Sequence, residues 1–142
     1  MRVLIKNAIN KEDHDTLLNV KDTLSVQISG ETNPTILKII GTLKEHFDFT
    51  IKPESYWRIE HNPNGHDWHV DTGTGNHMPW CQVGCSILLT SNNEFSGGET
   101  LYNKEEPIKA ERDIYDIIAH SSDEWHKVEP HTRNRVVLLL FI

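Results

Sequence analysis

Cysteine is scarce in this chain: Cys81 and Cys85 are its only thiols among 142 residues. If CQVGCSILL is a strand, residues four apart share a face but stand roughly 13 Å apart at about 3.3 Å per residue. A disulfide needs Cα atoms within about 7 Å, so two reduced core thiols in a cytoplasmic protein are the expectation. Positive charge is also short, with 14 basic against 21 acidic residues and a net charge of −7. That balance excludes a nonspecific nucleic-acid binder, which needs a basic stripe to displace counterions, and disfavours docking on anionic lipid. No apolar run approaches the ~20 residues of a membrane span. The longest is VVLLLFI, from Val136 to Ile142, which suits a buried strand. The opening MRVLIKNAINKEDHD turns acidic after a short apolar stretch and reads as neither a signal nor a transit peptide. Internal repeats, low-complexity tracts and linkers are lacking too, so one domain over residues 1–142 is expected.

The coarse organisation has two parts. Arg2 to Ile5 reads as a short strand, and Lys11 to Asp22 as a helix with acids in its first turn. Ser29 to Pro34 is polar and loop-like. Ile36, Leu37, Ile39, Ile40, Leu43 and Phe47 recur at helical spacing, which predicts a helix over Thr35 to Phe47. Beyond it, short β-prone runs alternate with turn signals: FTIKPESYWRIEH, DWHVD, CQVGCSILLT, ETLYN, DIYDIIAH, EWHKV and RVVLLLFI. Two helices followed by about eight strands make an α+β architecture with a β-barrel or jelly-roll core. Barrels of this kind hold ligands at an open mouth.

What the chain has in excess is histidine. Seven of its nine copies fall between His61 and His131. His69 and Asp71 are two apart in WHVD, so on a strand imidazole and carboxylate would face the same side. His126 in EWHKVEP offers a third ligand from a distant strand. Two histidines and one carboxylate form a facial set with open positions, which suits non-haem Fe(II). Arg135 stands nine residues beyond His126 and opens the apolar strand. An arginine there needs an anion, and its planar fork grips a carboxylate at two points. A dicarboxylate such as 2-oxoglutarate has the shape to chelate a metal at one end and meet Arg135 at the other.

HVD, FSGGETLY and HKVEPHTRNR, in that order and spacing, resemble the signature blocks of Fe(II)/2-oxoglutarate-dependent dioxygenases, in particular the prolyl 4-hydroxylase group. The resemblance runs from about Tyr56 to Ile142, with the first fifty residues fitting as supporting helices. It implies a double-stranded β-helix (a jelly-roll or cupin-like barrel) with N-terminal helices. It implies His69, Asp71 and His126 as catalytic iron ligands and Arg135 as the 2-oxoglutarate anchor. It also implies an enzyme that releases succinate and CO2 while hydroxylating an unactivated C–H bond, with ascorbate as an accessory reductant. The retained carboxylate at Asp71 points to hydroxylation, since related halogenases carry a small residue there.

The resemblance implies a peptidyl-proline substrate; a free amino acid or other small molecule is the rival within the enzyme class. A non-catalytic cupin-like metal-binding module is the rival outside it, and a dicarboxylate anchor at Arg135 speaks against that. A peptide would lie across the loops Asn62–Trp68 and Thr72–Trp80. The family often has tyrosines that help hold 2-oxoglutarate; here that second contact is open among His61, Ser86 and Tyr56. Arg133 shares a strand face with Arg135 but is read as solvent-facing. His66, His77, His120 and His131 are read as polar groups at the mouth or on loops, and Gly97-Gly98 as a turn that brings backbone close to the site.

Overall fold

The computed structural model describes residues 1–20, 25–72 and 78–142. Its elements are β1 (Arg2–Ile5), α1 (Lys11–Leu18), β2 (Val26–Gln27), α2 (Pro34–Lys44), β3 (Tyr56–Glu60), β4 (His66–His69), β5 (Val83–Leu88), β6 (Thr100–Tyr102), β7 (Ile108–Lys109), β8 (Ile117–Ser121), β9 (His126–Val128) and β10 (Val137–Phe141). All strand pairings among the described residues are antiparallel. They form a six-stranded sheet in the order β1-β8-β5-β10-β3-β2 and a four-stranded sheet in the order β4-β9-β6-β7. This is the expected jelly-roll-like layout, with two helices and ten strands among the described residues; the two-residue β2 and β7 carry too little pattern to be read.

Both helices begin where side-chain chemistry tells them to. Asn10 caps α1 in a reciprocal box with Asp13, each side chain accepting from the other's amide. Asn33 caps α2, accepting from the Thr35 and Ile36 amides, and Pro34 takes the first helical position, where no amide is needed. The helix over Thr35 to Phe47 therefore starts one residue earlier than its periodicity suggested and ends at Lys44. Phe47 still packs inward because its amide bonds to the Leu43 carbonyl at 2.9 Å. The first helix stops at Leu18 rather than Asp22; Lys21 and Asp22 lie outside the described residues.

α2 buries Ile36, Ile39, Ile40 and Leu43, one stripe at helical spacing, and leaves Leu37 exposed. That stripe meets Trp57, Ile59, Ile87, Leu138 and Leu140 from the six-stranded sheet in the main core. β10 lies between β5 and β3. One of its faces, Leu138 and Leu140, packs in the helix-side core, while Val137, Leu139 and Phe141 on the other line a cavity between the sheets. Burial on both faces explains why VVLLLFI is continuously apolar instead of alternating. Cys81 and Cys85 are buried and free, and burial pushes both thiols up to about 12, so they remain protonated. Among the described residues, no helix is long and apolar enough to cross a membrane.

Candidate metal centre

The cavity between the sheets is where the chemistry-bearing residues meet. β4 ends at His69, and Asp71 lies just past it, its amide donating to the Ser122 carbonyl at 2.9 Å. The reading of HVD as one unbroken strand is corrected here, because β4 changes register against β9 and closes at His69. The side chains converge nonetheless. His69 sits opposite His126 across β4 and β9, and His126 sits opposite Tyr102 across β9 and β6. One ligand atom from each of His69, Asp71 and His126 lies within 4.8 Å of the other two. Asp71 Oδ1 is 3.6 Å from His69 Nε2 and 3.4 Å from His126 Nε2.

Hydrogen bonds determine which ring nitrogens face the centre. His69 Nδ1 donates to the Asp67 carbonyl at 2.6 Å, and His126 Nδ1 donates to the Glu124 carbonyl at 2.9 Å. A carbonyl can only accept, so each Nδ1 carries a proton and each neutral ring turns its Nε2 lone pair inward. Two such lone pairs and a carboxylate oxygen then point at one another. That arrangement is repulsive unless a cation sits among them. The site's pull on a cation shows in the protein's own protons: burial opposes a charge on His126, yet the Asp71 carboxylate that faces its Nε2 favours a proton there and raises its pKa overall. Burial likewise opposes ionisation of Asp71, but the hydrogen bond from His120 and, once its ring is protonated, that from His126 hold its carboxyl far below the usual carboxylate range.

His120 is not the mouth or loop residue that the sequence suggests. It lies on β8, buried, with Nε2 2.7 Å from Asp71 Oδ2. Its Nδ1 is 2.9 Å from the Tyr102 hydroxyl. Ionised Asp71 only accepts, so His120 Nε2 carries the proton and Nδ1 accepts from Tyr102. The chain Tyr102–His120–Asp71 thus occupies Oδ2 and leaves Oδ1 for the centre. β8 and β5 hold this pair close because position 84 is glycine. A Cβ at Gly84 would run into Asp71 Oδ2 and stand 2.6 Å from His120 Nε2. Gly84→Ala is therefore expected to displace the carboxylate and weaken divalent-metal binding by about 10- to 100-fold, the size of an outer-shell lesion. Metal titration of the folded variant checks this; wild-type affinity would show that Asp71 needs no such support.

Arg135 also reaches the cavity, by a different route from the one expected. It lies in the turn before β10, its amide bonded to the Thr132 carbonyl at 3.4 Å, and not on the strand. The turn separates it from Arg133, which is exposed, so the two do not share a face. Arg135 is 4% exposed, and its Nε has no hydrogen-bond partner. Burial pushes its pKa down to about 10, against the pull of Glu60, so it stays charged at neutral pH. Gly97 and Gly98 form the expected positive-φ turn beneath it, at φ +81° and +72°. A Cβ on Gly98 would strike Arg135 Cδ and lie 2.5 Å from Nε.

The cavity measures about 80 Å³ and is walled by Val137, Leu139 and Phe141. Glu60 lies in it, paired with Arg58 at 2.8 Å and His66 at 3.1 Å. Of the three candidates for a second anion contact, only Ser86 lines this cavity. His61 lines a separate surface hollow with Leu17 and Val136, and the Tyr56 hydroxyl meets Met78 Sδ at 3.6 Å. His131 sits on a loop with its Nδ1 on the Thr132 carbonyl, and His77 lies outside the described residues, as does most of the Thr72–Trp80 loop.

No family model matches this sequence, and no curated protein matches it. Solved structures do. A prolyl-4-hydroxylase from Pseudomonas putida superposes with a TM-score of 0.70 at 11% identity, over 99% of this chain and 83% of that one. The viral collagen prolyl hydroxylase vCPH from Paramecium Bursaria Chlorella virus-1, solved with 2OG, gives 0.65 at 13% identity, over 99% and 94%. An oxidoreductase of the 2OG-Fe(II) oxygenase family from Burkholderia pseudomallei gives 0.64 at 15% identity, over 99% and 82%. At such identities the likeness is one of backbone architecture: the chain has the jelly-roll-like fold of these 2OG-Fe(II) oxygenase and prolyl hydroxylase structures.

Proposed function

We propose that this chain is an Fe(II)- and 2-oxoglutarate-dependent dioxygenase that hydroxylates an unactivated C–H bond, of the prolyl 4-hydroxylase type, with peptidyl proline as its substrate class. Under this reading the two sheets are the two halves of a double-stranded β-helix. The observation that carries the proposal is the meeting of two unlike sites in one cavity. One is a set of His69, Asp71 and His126 donor atoms turned toward a common point. The other is a buried arginine with an unpartnered Nε. A structural metal site has no use for the second.

His69 and His126 would hold iron through Nε2 and Asp71 through Oδ1, a nitrogen and oxygen set suited to Fe(II) with positions left open. Iron, when bound, supplies the chemistry by which 2-oxoglutarate, dioxygen and a C–H bond become succinate, CO2 and C–OH. The protein's part is placement. Tyr102 and His120 orient the Asp71 carboxylate; Arg135 takes the distal carboxylate of the co-substrate; Val137, Leu139 and Phe141 keep the space between them apolar. Charge-assisted contacts in such a setting gain strength from the exclusion of water.

The test is 2-oxoglutarate decarboxylation under Fe(II) and ascorbate across panels of proline-containing peptides and free amino acids. Peptide-stimulated succinate release with a 16-Da gain on proline is the expected result. A gain confined to free amino acids moves the substrate to that class, and absence of decarboxylation under every condition overturns the enzyme reading.

A further inference from the structure

A second hollow, of about 270 Å³, lies outside the metal cavity, between the Gly97–Gly98 turn, β7 and the segment that leads into β8. Thr100 lines both spaces, whereas the three metal ligands and Arg135 line only the cavity between the sheets. Arg112 lines the outer hollow and is 7% exposed. Arginine is almost never so buried unless it is paired. Arg112 nevertheless makes no ion pair among the described residues. Its Nη1 donates to the Ser86 carbonyl and its Nη2 to Ser86 Oγ, both at 3.1 Å, and both acceptors are neutral. The other N–H groups of its fork meet no acceptor among the described residues. Burial and, less strongly, the neighbouring Arg135 push its pKa down to about 9, which leaves it cationic at neutral pH.

The acids nearby are engaged elsewhere. Asp116 is held by Lys6 at 3.1 Å and by the Asn7 and Asp113 amides. Glu99 and Glu111 line the rim of the hollow, where both meet Lys109, at 3.2 and 3.9 Å. Their side chains are 49% and 79% exposed, so water screens them. Arg112 has no such screening, and charges act more strongly in its drier surroundings. A buried cation without a counter-ion, set in the wall of an open hollow, leaves a place for an anion brought from outside.

We propose that this hollow is an oxyanion site, in which Arg112 gives a carboxylate or phosphate group the charge-assisted bonds that no acid of the chain takes up. The planar fork of a guanidinium matches two oxygens of such a group. Thr100 and Asn92 add neutral hydrogen-bonding groups to the lining, and Lys109 adds a second cation at the rim. The site uses none of the metal ligands and stands whether or not the cavity between the sheets holds 2-oxoglutarate.

Calorimetric titration of the full chain with sodium phosphate, at constant ionic strength and without added metal, tests this. One saturable site per chain is the expected result. Arg112→Met should weaken it by about tenfold or more, the size of a lost hydrogen bond to a charged group. Arg135→Met should change it far less. Ala110→Glu sets a carboxylate in the lining of the hollow and leaves Arg112 and its Ser86 bonds in place. It should give a loss comparable to that of Arg112→Met, and it serves as the test if Arg112→Met does not fold. Sodium acetate replaces phosphate in a second series. Tighter binding of acetate, with the same dependence on Arg112, makes the ligand a carboxylate-bearing molecule; tighter binding of phosphate makes it a phosphate compound. Absence of saturable binding of either anion overturns the proposal, as does unaltered affinity in both Arg112→Met and Ala110→Glu. A loss with Arg135→Met as large as with Arg112→Met also overturns it, because it places the anion in the metal cavity.

Discussion

Asp71→Asn is expected to lower divalent-metal affinity by more than about a hundredfold, beyond the usual outer-shell effect, and to end succinate formation. The substitution is chosen because it removes charge and little else. An amide oxygen can still accept from His120 Nε2, which now meets Asp71 Oδ2 at 2.7 Å, so the Tyr102–His120 chain keeps its end point. The metal-free variant should therefore melt within a few degrees of the parent; one lost kcal/mol shifts Tm by about 2–8 °C in domains of 60–250 residues. His69→Ala should match it in metal affinity, because His69 Nε2 faces the same oxygen at 3.6 Å. Co(II) absorption gives the affinity, and thermal melting gives the stability. Full Fe(II)-dependent turnover by Asp71→Asn would falsify the ligand assignment.

Arg135→Met should separate function from stability in the opposite sense. Arg135 is buried, charged and without a partner at Nε, so the ligand-free fold carries an uncompensated cation. Replacing a buried charge by an apolar side chain of similar volume is often neutral or stabilising. The melting temperature should hold or rise. Half-saturation by 2-oxoglutarate should rise by about thirtyfold or more, since truncating one member of a buried charge pair costs roughly 2–5 kcal/mol. Metal affinity should not move, because Arg135 donates to none of the three ligands. A variant that saturates normally with 2-oxoglutarate would place the anchor elsewhere, with Arg58 the next cation in the cavity.

The elements that were legible from sequence share a local cause. Asn33 followed by Pro34 marks a helix start through bonds spanning two or three residues, and Ile36, Ile39, Ile40 and Leu43 mark its buried face. His69 and Asp71 announce themselves because they stand two residues apart, and His126 with Arg135 because nine residues separate them in one stretch of chain. His120 carried no such mark. Its partner Asp71 is 49 residues away, and the contact exists only because β8 and β5 pair and Gly84 leaves room. The same holds for Arg112 and Ser86, 26 residues apart. The strand ends differ from the pattern at two places, with β4 closing at His69 ahead of Asp71 and β10 opening at Val137 beyond Arg135, since hydrophobic alternation does not report where a ladder stops.

The sequence by itself therefore determined the donor types, their order along the chain and the apolar strand that carries the cavity wall. Histidine and carboxylate chemistry, residue spacing and periodicity are all properties of a short stretch. Only the tertiary structure decided which nitrogen of each ring faces the centre and which Asp71 oxygen is free. It also decided that His61 stands apart from the cavity and that Arg135 is buried in its wall. Each of these depends on hydrogen-bond partners and on the neutralising charges within a few ångströms, and those are brought there by strands far apart in the chain.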